Sequence, residues 1–108
     1  MDYDTHLPVL TFLFDGFAIK RALELGVGDA STPLLLKRAT ELVSVEADIG
    51  WYERFWRDKP AKHEIHLGSA LDFVRQNTAQ YDLAFVDSNP ANERSDCVQL
   101  LLAKANIV

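Results

Sequence analysis

Apolar residues along this chain fall into short runs that suit strands, set between longer segments in which they recur every three or four positions. The strand-type runs are Arg21 to Leu25, Leu42 to Glu46, His63 to Leu67 and Tyr81 to Val86. The segments between them carry helix-start signals. Thr32 stands before Pro33, a residue that loses nothing in a first helical turn, so Thr32 is expected to cap a helix there. Asn89 and Pro90 repeat the device. Ser69, with Asp72 three residues on, has the form of a capping box and opens a helix from Ala70 to Asn77. Asp48 is placed to cap a segment in which Trp51, Tyr52, Phe55 and Trp56 recur at one-and-four spacing before Pro60, a pattern that predicts a buried face packed on a sheet. A last helix, with Val98, Leu101, Leu102 and Ala105 on one face, is expected to stop at a left-handed Asn106. Asn106 to Val108 then reads as the opening of a fifth strand.

Strands alternating with helices predict an α/β fold, a doubly wound parallel sheet with helices on both faces. A length of 108 residues suits one domain, 1–108, because a core of useful size needs most of such a chain. The fifth strand has barely begun at Val108, so the expected sheet is truncated at its carboxyl-terminal side. Its open edge predicts self-association into a homo-oligomer.

Composition narrows the partners. A share of 48% hydrophobic and 25% charged residues is that of a packed globular protein. The net charge of -5 argues against the broad electropositive surface that nucleic acid or an anionic membrane requires. The longest apolar runs, Leu34 to Leu36 and Leu100 to Ala103, are far shorter than the roughly 20 residues that cross a bilayer. Cys97 is the sole cysteine and no secretory leader opens the sequence, which makes a reducing cytoplasm the expected compartment. Cys97 is expected to pack as a small apolar side chain.

The candidate chemistry begins at Ala22-Leu-Glu-Leu-Gly-Val-Gly-Asp-Ala-Ser-Thr32. In a doubly wound sheet this loop lies at the carboxyl ends of the strands, beside the switch point where ligands bind. Gly26 and Gly28 let a ligand approach the main chain, although a plain β-to-α turn would use them too. Glu24 stands where a carboxylate meets a cationic group. Glu46 ends the second strand 20 residues after Gly26, the offset at which an acid reaches ribose hydroxyls. Together they describe a nucleoside with a positive tail. A dinucleotide site prefers a third glycine where this chain has Ser31, and a pyrophosphate would meet Glu24 and Asp29. His63 and His66 fall on opposite faces of the third strand, so they do not share a metal, and no metal is expected.

These residues resemble the class I S-adenosylmethionine-dependent methyltransferases over nearly the whole chain. The resemblance rests on Glu24-Leu-Gly-Val-Gly28 with Ser31 and Thr32, on Glu46 in Ser44-Val-Glu-Ala-Asp48, on Gly68-Ser-Ala70, and on Tyr81-Asp-Leu-Ala-Phe-Val-Asp87. It implies that the first motif holds the methionine part of the cofactor, that Glu46 binds the ribose diol and that Ala47 lies on the adenine. Ser69 and Ala70 would form the third contact, with Ser69 standing where the family usually has aspartate. Asp87 would lie beside the reacting methyl group and take a proton from the substrate hydroxyl; its plainer role is to cap the turn before Pro90. Catechol-type members also use this aspartate to bind magnesium, together with an Asp-Asn pair that would lie beyond Val108. Thr5-His6-Leu7-Pro8 is similar to a stretch that covers the cofactor in related enzymes, and His6 otherwise reads as a surface or capping histidine. The implied activity is O-methylation of a small molecule. The alternatives are a fragment that binds the cofactor without catalysing alone and, from another class, an NAD-type oxidoreductase domain.

Overall fold

A computed structural model describes residues 7–77 and 79–108. Helix α1 (Leu7–Gly16) leads into strand β1 (Arg21–Leu25), followed by α2 (Ser31–Arg38), β2 (Glu41–Glu46), α3 (Ile49–Trp56), β3 (His63–Leu67), α4 (Ala70–Gln76), β4 (Tyr81–Val86), α5 (Arg94–Leu101) and β5 (Ala105–Ile107). The five strands form one parallel sheet in the order β3-β2-β1-β4-β5. This is the Rossmann-like α/β arrangement. The chain walks outward from β1 to β3 and returns to place β4 on the other side of β1, so β1 and β4 flank the switch point.

Strand side chains alternate between two cores. Leu23, Leu25, Val43, Val45 and Ala84 meet Leu71 and Val74 of α4 and Cys97 and Leu101 of α5. Ala22, Leu42 and Leu83 meet Leu10 of α1 and Leu35 of α2 on the opposite face. Cys97 is fully buried, as its sequence context suggests. Among the described residues no helix is long and apolar enough to cross a membrane.

Two of the expected caps form. The Asp48 carboxylate accepts the Trp51 N–H at 3.1 Å, and the Ser69 hydroxyl accepts the Asp72 N–H at 3.2 Å. Two do not. Helix α2 starts at Ser31 after Ala30, which makes no side-chain cap, because the Thr32 hydroxyl is turned inward to a buried carboxylate instead. Pro90 precedes a short 3-10 turn, Ala91–Glu93, and α5 begins only at Arg94.

Three further expectations need correction. The aromatic residues of α3 are not a buried face: no residue of that helix is buried, since it flanks the edge strand β3 and has little sheet to cover. Leu102 is exposed beyond the end of α5, and Ala105 lies in β5 rather than on the helix. Asn106 is inside that strand, and no described residue other than glycine has a positive φ. Helix α1, to which the sequence reading assigns no element, packs by Leu10. His6 lies outside the described residues.

Candidate functional site

The strand ends meet because the ladder continues into the loops. Gly26 N–H donates to the Val45 carbonyl at 2.8 Å, Asp87 N–H to the Leu25 carbonyl at 2.9 Å and Gly68 N–H to the Glu46 carbonyl at 2.9 Å. The loops after β1 and β4 therefore touch. Gly26 has φ +89°, and a Cβ there would lie 2.6 Å from the Asp87 carbonyl oxygen, so only glycine fits the crossing. Gly28 differs: a Cβ would meet only Ser31 Oγ, at an ordinary 3.5 Å.

Above these loops opens a cleft of about 460 Å3. Val27, Gly28, Ala30 and Ser31 line it from the β1 loop; Glu46, Ala47, Asp48 and Trp51 from the end of β2 and the start of α3; Asp87, Asn89 and Arg94 from beyond β4. The lining holds three carboxylates and one guanidinium. Its charge favours a cation.

Glu46 is held by main chain. Its Oε1 accepts the Val27 N–H at 3.1 Å and its Oε2 the Asp48 N–H at 2.8 Å. A carboxylate has about four acceptor positions, so capacity remains for hydroxyl groups of a ligand. Across the cleft, Arg94 donates from Nε to the Ser88 carbonyl at 2.7 Å and brings Nη2 to 3.4 Å from Asp87 Oδ1. On the α3 side Trp51 stacks on Phe55, with ring centroids 6.3 Å apart, beneath the Arg54 guanidinium. Arg54 also pairs with Asp29 of the glycine loop at 2.8 Å, between side chains that are largely solvated.

Beneath the glycine loop lies a second polar group that does not line the cleft. Glu24 is fully buried and accepts hydrogen bonds from Ser31 at 2.9 Å, Thr32 at 2.8 Å and Ser44 at 2.8 Å. Burial raises its carboxyl from the ordinary 4.5 to about 7; the three hydroxyls oppose the rise and the charge of Glu46 adds to it. Ser44 spends its one hydrogen on Glu24, so its 2.9 Å contact with His63 is donated by Nε2–H, leaving Nδ1 bare and without a partner. Burial, helped by Lys59, holds this imidazole down at about 4.

No protein family matches the chain, and no curated protein does. A solved structure does. The Haemophilus influenzae protein HI0767, named a "putative methylase", superposes with a TM-score of 0.67 at 18% identity, over 92% of this chain and 62% of its own. At that identity the likeness is one of fold. This chain thus spans less than two thirds of its solved neighbour.

Of the residues expected to form the site, Gly28, Ser31, Glu46, Ala47 and Asp87 come together in the cleft. Glu24, Gly26 and Thr32 lie beneath it as support. Ser69 and Ala70 do not line it: Ser69 caps α4 and Ala70 is packed in the core. Asp87 does not cap the following turn; Pro90 precedes that turn, and the Asp87 carboxylate faces Arg94. The sequence reading misses Trp51, Asn89 and Arg94 as lining residues and treats Asp48 only as a cap. The cap was itself the available signal for Trp51, because it fixes the phase of the helix three residues later. Among the described residues no three or more His, Cys, Asp or Glu side chains cluster as metal ligands.

Proposed function

We propose that this chain is the cofactor-binding core of an S-adenosylmethionine-dependent methyltransferase whose acceptor is a small molecule methylated on oxygen. The observation that carries the reading is Glu46, a carboxylate anchored by two backbone N–H groups at the tip of β2, inside the switch-point cleft. A ribose diol needs such an acceptor. Ala47 and Trp51 offer apolar surface for a nucleobase beside it, and the open backbone at Gly28 admits close approach of the ligand's tail. The charge of the lining also fits: Glu46, Asp48 and Asp87 attract a sulfonium and an ammonium group and repel a pyrophosphate.

When bound, the cofactor supplies an electrophilic methyl group on sulfur. The protein's part is chiefly to orient and to exclude alternatives. In this reading Asp87 accepts the proton of the acceptor hydroxyl, and Arg94 holds the loop that carries it by gripping the Ser88 carbonyl. The fold shared with the Haemophilus protein supports the reading at the level of architecture.

Calorimetric titration with S-adenosylmethionine, S-adenosylhomocysteine and NAD tests it. The two sulfur nucleosides bind and NAD does not. Binding of NAD in preference to them, or of none of the three, overturns the reading.

A further inference from the structure

Glu24 is the one fully buried carboxylate among the described residues, and no lysine or arginine comes within ion-pair distance of it. Among the described residues its hydrogen bonds all come from hydroxyl groups. One of these is shared with the cleft: Ser31 lines the cavity above and donates from Oγ to Glu24 Oε2 below. A second ties Glu24 to the glycine loop, since Thr32 Oγ1 also accepts the Gly28 N–H at 2.9 Å. The carboxyl is therefore one hydroxyl away from whatever occupies the cleft.

Among the described residues the charges around it are few. From β2 comes Glu46, whose repulsion Glu24 feels; from β3, His63, held neutral behind Ser44. Helix α2 carries Lys37 and Arg38 only in its last turn, and α1 carries Asp15, which is paired with Arg38. On β4 the residue in register is Phe85, and the next charge is Asp87, past the strand end. Among the described residues nothing buried neutralises Glu24.

We propose that Glu24 is a proton-linked counter-charge beneath the cleft: when a cation settles above Ser31, the Glu24 carboxyl releases its proton to solvent and becomes a carboxylate. Burial already brings the free carboxyl to about 7, so a modest added positive potential is enough to ionise it near neutrality. The hydroxyl that accepts the acid's proton turns round on ionisation, so that all three donate to the ion. Affinity for a cationic ligand consequently rises with pH on the acid side of neutrality and levels off above it. The inference rests on the functional reading above in taking the ligand to be cationic.

The test is calorimetry of the full chain with S-adenosylmethionine at pH 6.5, in phosphate and in imidazole, whose ionisation enthalpies differ. The expected result is release of about 0.3 to 0.8 proton per ligand, falling towards zero at pH 8.5. Glu24→Gln abolishes the release. Ser31→Ala, which keeps the acid but removes one donor, moves the release to higher pH and serves should the first variant not fold. Equal heats in the two buffers, or an unchanged proton count in Glu24→Gln, overturn this inference alone. Absence of binding overturns it together with the functional reading.

Discussion

Strands β1 and β2 each carry a glutamate near their carboxyl end, and the fold treats the two in opposite ways. Register explains the difference. Glu24 lies level with Ser44, two steps below the point where β1 turns away at Gly26, so it is roofed by the glycine loop and α2. Glu46 lies one step beyond Val45, which pairs with Leu25, and emerges into the cleft. The lower acid is satisfied by side-chain hydroxyls and holds its proton to about pH 7; the upper one is fixed by two main-chain N–H groups. The glycines divide in the same way. Gly26 is demanded by the crossing with Asp87, whereas Gly28 leaves space open above the backbone. A displacement of two residues along a strand separates architecture from binding.

The hardest way to break the lower half is Gly26→Ala. A Cβ 2.6 Å from the Asp87 carbonyl oxygen, added at φ +89°, forces the two loops apart. A loss of about 2–4 kcal/mol in urea unfolding is expected, from strain and overpacking together. A loss below about 1 kcal/mol would show that the crossing is not rigid.

The pH dependence of stability sharpens the contrast. Glu24 titrates at about 7 folded against 4.5 in its ordinary state, so between those values the native protein binds the extra proton and stability falls as pH rises. His63 titrates at about 4 against 6.5, so there the unfolded chain binds the extra proton and stability rises with pH. In the shared window the two slopes oppose each other. Glu24→Gln should therefore leave stability climbing from pH 4 to 6.5, and His63→Gln should leave it falling from pH 4.5 to 7. Each change is of the order of 3 kcal/mol. Unfolding free energies of the two variants across pH 4.5 to 7 check this, and parallel profiles would contradict the buried pair.

The upper half is broken by Glu46→Ala. Removing a charged acceptor should cost about 1.5–3 kcal/mol of S-adenosylmethionine binding, roughly tenfold to a hundredfold in affinity, while the fold persists. Ser69→Ala is the smallest change and the control. It removes a helix cap worth about 1 kcal/mol of stability and leaves binding unaltered, because Ser69 is outside the cleft lining. Equal losses of affinity in the two variants would undo the placement of the ribose at Glu46.

Much of the architecture is legible locally. The strand-type runs and the caps at Asp48 and Ser69 each depend on a few neighbouring residues, and the structure carries them almost where the pattern puts them. Trp51 shows the limit. Its spacing with Phe55 is that of a packed face, yet α3 flanks an edge strand, and the ring lines the cleft instead. Arg94 shows it again. Nothing local to a charged loop says that its guanidinium grips the Ser88 carbonyl and faces Asp87.

By itself the sequence determined the alternation of strand and helix, the glycine at the tight crossing and the acids at the strand ends. These are properties of short segments, set by backbone sterics and side-chain periodicity. Only the tertiary structure decided that Glu24 is sealed and Glu46 open, that Thr32 serves a buried carboxylate rather than a helix end, and that Trp51, Asp87 and Arg94 share one cleft. Those outcomes depend on strand register and on crossovers that join residues 20 to 60 positions apart, and no local pattern encodes them.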